Sequence, residues 1–170
     1  MKKLMTAAIG LMMAMSANAQ YLTDSDTPFT QGKMYASAGL SGLNLNWDST
    51  TKWNLGINGK VGYMLLDDLM ALGELQWGIH QEMPNDFGIG AGMRYYIRQN
   101  GIYLGAGASY KHSEGYDDFM PNVNVGDAFF LSRTVTIEPE LYYNMSTKSI
   151  KDYSGFGLRV GFGIYLDELF

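Results

Sequence analysis

Residues 53–65 read Trp53-Asn54-Leu55-Gly56-Ile57-Asn58-Gly59-Lys60-Val61-Gly62-Tyr63-Met64-Leu65. Odd positions carry Trp, Leu, Ile, Gly, Val, Tyr and Leu; even positions carry Asn, Gly, Asn, Lys, Gly and Met. Side chains on a strand point alternately to its two faces, so this stretch predicts one apolar face and one small or polar face. At about 3.3 Å per residue it would span roughly 40 Å, more than a tilted membrane strand needs. The apolar face opens with Trp53 and nears its end at Tyr63. Aromatics at both ends of an apolar band suit two membrane–water interfaces. The stretch reads as one stave of a transmembrane β-barrel.

The 170 residues allow one domain. No run after the N-terminus reaches the ~18 apolar residues of a membrane helix. Mean hydropathy is −0.11. That value looks soluble, but membrane barrels share it because only alternate residues face lipid. The chain has no Cys, which excludes disulfides, lipoprotein acylation and thiolate metal sites. Met1–Ala19 has the form of a signal peptide. Lys2 and Lys3 precede the apolar run Leu4–Met15, and Ala17-Asn18-Ala19 makes a small-x-small cleavage site before Gln20. An uncleaved anchor is the alternative; the short segment and its flanks favour cleavage. Losing residues 1–19 removes two lysines and no acid, taking the net charge from −5 to −7. Such acidity argues against nucleic acid as a partner. The expected organisation is a cleaved signal peptide over 1–19, a periplasmic lead-in over 20–32 and an outer-membrane β-barrel over 33–170. The lead-in is polar and aperiodic. It is expected to be loose, or in part to pair with the first strand.

Eight strands follow. The first, Met34–Trp47, has a clear upper half with Leu43, Leu45 and Trp47 on one face. Its lower half is apolar on the other parity (Met34, Ala36, Ala38, Leu40), so a bulge near residues 39–42 is expected. The second is the Trp53 stave. The third, Leu69–Gln81, puts Leu75, Trp77 and Ile79 outward and Glu74, Gln76 and His80 inward. The fourth, Phe87–Arg98, alternates without a fault: Phe87, Ile89, Ala91, Met93, Tyr95 and Ile97 against Gly88, Gly90, Gly92, Arg94, Tyr96 and Arg98. The fifth is Ile102–Lys111. The sixth, about Phe119–Leu131, places Val123, Val125, Phe129 and Leu131 outward, and Asp127 shares their parity as a misfit. It either lies near a strand end, where a lipid-facing charge costs little, or is turned inward by a bulge. The seventh, Val135–Ser146, points Glu138, Glu140 and Tyr142 inward, and Pro139 suggests a bulge because it lacks a ladder donor. The eighth, Tyr153–Leu166, points Arg159 and Tyr165 inward.

Connections after strands one, three, five and seven are read as longer, over 48–52, 82–86, 112–118 and 147–152. Those after two, four and six are two or three residues, and Asn100-Gly101 is a strong hairpin signal. Short turns and long loops at opposite ends suit a bacterial outer-membrane barrel with both termini periplasmic. The fold class expected is therefore all-β: a transmembrane up-and-down antiparallel barrel of eight strands. Outward aromatics form two girdles. Trp47, Trp53, Trp77, Phe87, Tyr110 and Tyr143 lie near the outer rim; Tyr63, Tyr95 and Phe129 lie near the inner rim. A secreted soluble barrel would also alternate, with its polar face in water. Here that face is mostly Gly, Asn and Ser, and the apolar face would aggregate on a soluble monomer.

With these residues in place, the chain resembles small OmpA-like or porin-family outer-membrane β-barrels over nearly all of residues 33–170. The resemblance rests on Arg94-Tyr95-Tyr96-Ile97, the Gly-rich stretch over Gly101–Gly107, and the terminal Phe170. Phe170, with Leu166, Ile164 and Phe162 before it, resembles the family's assembly signal; Glu168 departs from it. The resemblance implies outer-membrane lipids and lipopolysaccharide, periplasmic chaperones and the barrel assembly machinery as partners, and a monomer. No peptidoglycan-binding domain follows the barrel in this sequence, so a cell-wall tether is not implied.

Six inward charges fall near mid-strand: Lys60, Glu74, Arg94, Glu138, Glu140 and Arg159. Eight staves leave room only for side chains, so these six are expected to form a buried ion-pair core. A proton or ion path is the alternative. His80 and His112, with Ser113, Glu114, Asp117 and Asp118, sit near the outer rim and could be cast as a lipid-acting hydrolase or acyltransferase site. No Ser/His spacing among them is diagnostic, so no catalytic residue, metal ligand or cofactor is assigned. The function expected is structural or surface-interacting; a narrow porin and a lipid-modifying enzyme are the alternatives.

Overall fold

The computed structural model describes residues 28–41, 54–80, 85–97, 100–113, 115–148 and 154–166. Its strands are β1 (Met34–Ser41), β2 (Asn54–Leu66), β3 (Leu69–His80), β4 (Asp86–Tyr96), β5 (Ile102–Ser113), β6 (Tyr116–Asp127), β7 (Phe129–Phe130), β8 (Val135–Asn144) and β9 (Gly155–Leu166). From β1 to β6 each pairs antiparallel with the next, β8 pairs with β9, and β1 pairs with β9. β6 and β7 both pair with β8, forming one stave in two pieces. The ring is thus a closed barrel of eight staves.

Closure turns the period-2 pattern into an inside and an outside. On β2, Ile57, Val61, Tyr63 and Leu65 are exposed, while Asn58, Lys60 and Met64 are buried. On β4, Phe87, Ile89, Met93 and Tyr95 are exposed, while Arg94 and Tyr96 are buried. This inversion, polar inside and apolar outside, suits lipid as the solvent. The girdle candidates Trp77, Phe87, Tyr110, Tyr63 and Tyr95 are exposed. Tyr143 and Phe129 are half-buried, and Tyr143 packs on Phe156 with ring centroids 4.6 Å apart. Trp47, Trp53 and Phe170 lie outside the described residues.

Several expectations change. Through Ser41 the first strand pairs continuously on both sides, with Met34, Ala36, Ala38 and Leu40 outward and Tyr35 and Gly39 buried. The expected switch of faces therefore falls beyond the described part. Asp86, read as loop, opens β4 and is buried. The connection expected over 112–118 shrinks to residues 114–115, because the β5–β6 ladder runs to the pair Ser113–Tyr116. Gly115, at φ 77°, provides the left-handed backbone that so short a turn needs. Pro139 causes no register change in β8. Instead the ladder to the neighbouring stave lapses at Asp127 and Ala128, opposite Pro139 and Glu138. Val125 pairs with Leu141 and Phe129 with Ile137, so the register is unchanged across the gap. A proline cannot supply the missing N–H.

Asp127 is not on the lipid face. It is buried at the end of the barrel that carries the β2–β3, β4–β5 and β7–β8 turns, here called the turn end. The Ala128 N–H donates to the Gly101 carbonyl at 3.0 Å. A Cβ on Gly101 would stand 3.1 Å from Asp127 Oδ1, so the carboxylate rests over that turn. The opposite end is here called the loop end. Residues 28–33 are also not loose. They dock at the turn end, with Gly32 N–H donating to Met64 O at 3.0 Å and Met64 N–H to Lys33 O at 2.9 Å.

Candidate functional site: the charged core of the lumen

The inward residues do not fill the lumen evenly. β4 and β5 present Gly90, Gly92 and Gly107, and a small cavity lies against them, lined also by Lys60, Glu74, Asn122 and Asn124. The glycines let the two strands curve tightly. A Cβ on Gly107 would stand 2.7 Å from Ala91 O and 2.9 Å from Gly92 Cα. Toward the turn end the same two strands supply bulk instead, with Arg94 and Tyr96 from β4 and Tyr103 from β5 buried.

All six mid-strand charges meet there. Arg94 Nη1 lies 2.9 Å from Glu138 Oε2, and its Nη2 lies 3.1 Å from Glu140 Oε2. Lys60 Nζ reaches the same Glu140 oxygen at 2.9 Å. Arg159 bonds Glu140 Oε1 through Nε at 2.9 Å and also through Nη2, and its Nη1 bonds Glu74. Glu140 is the hub, touched by all three cations. Except for Arg159–Glu140, on adjacent strands, these pairs bridge staves three apart around the ring. A lone charge in such a place would lose its hydration with nothing in return; three of each sign can compensate one another.

Tyrosines complete the polar contacts on the turn-end side. Tyr35 donates to Glu138 Oε2 at 2.6 Å, and Tyr103 donates to Glu140 Oε2 at 3.1 Å. Thr136 Oγ1 donates to Glu138 Oε1 at 2.9 Å. The Arg94 guanidinium carbon sits 3.8 Å from the Tyr103 ring centre, and that of Arg159 sits 4.8 Å from the Tyr142 ring centre. Such stacking suits arginine, whose planar cation is weakly hydrated. Tyr35 was left between two parities by the sequence; its tie to Glu138 follows from β1 lying beside β9, which chain order alone does not state.

Below the charges lies an aromatic layer; the sequence turned its Tyr96 and Tyr165 inward but left Phe29 in the lead-in. Phe29 is buried and stacks on Tyr96 with ring centroids 4.2 Å apart. Phe130 and Tyr165 meet it edge-on at 5.8 and 5.6 Å. For Phe29 the only sequence signal was an aromatic in a polar segment.

Among the described residues, the loop-end candidates are not brought together in one place. His112 Nδ1 and Asp117 Oδ1 are 2.5 Å apart on the barrel's exterior. Ser113, the next residue along β5, falls on the other face, and its Oγ contacts the Asn85 carbonyl at 3.4 Å. Asp118 is buried, accepting from Ser146 Oγ at 2.5 Å and Thr147 Oγ1 at 3.0 Å. The His80 side chain and Glu114 lie outside the described residues. Among the described residues, no three His, Asp or Glu side chains group as metal ligands.

The barrel is similar to three solved small barrels. The N-terminal β-barrel domain of Pseudomonas aeruginosa OprF aligns at 15% identity and a TM-score of 0.60, covering 80% of this chain and 98% of that one. Yersinia pestis Ail, in a phospholipid bilayer nanodisc, aligns at 15% identity and 0.54, covering 80% and 100%. Neisserial surface protein A aligns at 17% identity and 0.51, covering 79% and 96%. At these identities the likeness is one of fold. No curated protein matches the chain. The family model for the outer membrane protein beta-barrel domain matches residues 5–170, nearly the whole sequence, and agrees with the closed eight-stave ring and its apolar exterior. The chain therefore belongs to the outer membrane protein β-barrel family, and its place is the outer membrane.

Proposed function

We propose that this chain is an integral outer-membrane barrel with a structural or surface-interaction role, and that its charged core closes the lumen to ions. The observation that carries the reading is Glu140, contacted by Lys60, Arg94 and Arg159 in the middle of the ring. Those contacts span the lumen at the height where a pore would have to be widest open. Separating them would leave charges buried without partners, at a cost of about 3–5 kcal/mol per broken pair. No catalytic role is assigned: His112 and Ser113 face opposite ways. The test is planar-bilayer recording of the purified wild-type protein. Silence is expected. Stable, ion-selective openings would promote the narrow-porin reading instead.

We further infer export by the segment 1–19, giving a mature chain that starts at Gln20 with both termini periplasmic. N-terminal sequencing of the outer-membrane fraction checks the cleavage site. Outer-membrane lipids and lipopolysaccharide would surround a monomer, delivered by periplasmic chaperones to the barrel assembly machinery. The apolar exterior and the Phe162, Ile164 and Leu166 pattern toward the C-terminus support that assignment.

A further inference from the structure

We propose that residues 28–33 are a built-in cork that closes the turn end of the lumen, with Phe29 as its head. The segment continues past the start of β1, alongside the end of β2, and then turns inward. Gly32 and Lys33 extend the β1–β2 ladder through their bonds to Met64. Phe29 then anchors the next step: its carbonyl accepts from the Asp68 N–H at 2.8 Å. Asp68 stands at φ 65°, the left-handed conformation that aims this N–H in the β2–β3 turn.

The outer edge is clamped as well. Gln31 N–H donates to Asp67 Oδ1 at 2.9 Å, and Gln31 Nε2 donates to Leu65 O at 3.0 Å. The head is packed from several staves. Tyr96 comes from β4, Phe130 from β7 and Tyr165 from β9, and all three rings contact Phe29. An aromatic ring held by walls from separate staves spans the bore instead of lining one side. Phe29 is 2% exposed although it precedes the barrel in sequence. The barrel therefore carries two barriers at different heights, an ionic one at mid-lumen and an aromatic one at the turn end. This inference rests on the reading of the lumen as closed, and adds a second, separable closure to it.

The chain has no cysteine, so single-cysteine variants report on a clean background. Thr136 is fully buried on the lumen wall and pairs with Phe130, next to the cork. Ser132, in the β7–β8 turn, is exposed. Both are tested in the full-length purified barrel with a charged methanethiosulfonate reagent. Thiol reactivity follows exposure, so Thr136→Cys should label at least about a hundredfold more slowly than Ser132→Cys. Adding Phe29→Ala should raise Thr136→Cys labelling by about tenfold or more and leave Ser132→Cys unchanged. Heat-modifiable gel mobility confirms that the variant barrel is folded. Should Phe29→Ala not fold, the exposed pair Gln31→Ala with Asp67→Ala loosens the clamp, and a rise of about threefold is expected on the same ground. Rapid labelling of Thr136→Cys with the cork intact, or no rise when a folded variant lacks Phe29 or its clamp, would overturn the cork. Conductance of the folded Phe29→Ala barrel reports separately on the mid-lumen closure, because the cork is then withdrawn. A silent Phe29→Ala barrel with unchanged Thr136→Cys labelling overturns the cork alone; a silent wild type beside a conducting Phe29→Ala barrel with raised labelling overturns the closed core alone; a conducting wild type overturns both.

Discussion

Arg94 on β4 and Glu138 on β8 stand three staves apart in an eight-stave ring, yet Arg94 Nη1 donates to Glu138 Oε2 at 2.9 Å across the lumen. The contact exists because the ring is narrow enough for two long side chains to meet over its axis. It ties the two sides of the barrel together through two buried side chains.

Truncating Arg94 should therefore cost more than its contacts alone suggest. Among the described residues, Arg94→Ala leaves Glu138 without a cationic partner and Glu140 with two of three. The expected loss is about 3–5 kcal/mol, from the carboxylate left buried. Arg133→Ala, in the exposed β7–β8 turn, should stay within about 0.5 kcal/mol. Urea titration of the folded, heat-modifiable band compares the two. Equal effects would mean that the core does not hold the barrel together.

A charge on the exterior should cost according to its depth. Ile89 and Ala91 are outward on the middle of β4, and Ile97 is outward at its turn end. Ile89→Arg and Ala91→Arg should each lose about 2–4 kcal/mol, and Ile97→Arg about 0–1 kcal/mol. Unfolding in lipid vesicles measures this. A flat profile along β4 would contradict the placement of the lipid band.

Gly107 and Gly155 separate packing from propensity. A Cβ at Gly107 meets the backbone of β4, which cannot swing aside, so Gly107→Ala should cost about 1–3 kcal/mol. At Gly155 a Cβ meets nothing within 4 Å, so Gly155→Ala should be neutral or gain a few tenths of a kcal/mol, roughly, through the unfolded chain. The same urea assay reads both.

Asp118 acts as a latch at the loop end. Its carboxylate takes the hydroxyls of Ser146 and Thr147, tying the start of β6 to the chain leaving β8. Ser146→Ala should cost about 1–3 kcal/mol, because the lost donor was bonded to a buried charge. It should also speed proteolytic nicking beyond residue 146, where the chain leaves β8. Unchanged cleavage would place the hold elsewhere.

The two faces were legible in the sequence because alternation is local. On the Trp53 and Phe87 stretches each residue's parity alone decided lipid or lumen, and a one-residue slip would have exposed every charge to lipid. The lumen-facing parity of Lys60, Glu74, Arg94, Glu138, Glu140 and Arg159 followed from the same rule. Their partners did not. That Lys60 and Arg159 share Glu140, and that Arg94 crosses to Glu138, depends on ring closure and stave stagger, which bring opposite charges as far as 85 positions apart in sequence into contact. Of the two seats the sequence left open for Asp127, the inward one holds; the missing N–H of Pro139 and the Asn100-Gly101 turn provide it without a shift of register. Phe29 could not be placed from its own segment at all. Its seat is made by Tyr96, Phe130 and Tyr165 together, and those rings come near one another only once the barrel has closed. Sequence alone determined which way each regular strand faces, because that is a property of neighbouring residues; the tertiary structure alone decided what fills the lumen, because that is a property of staves meeting across a closed ring.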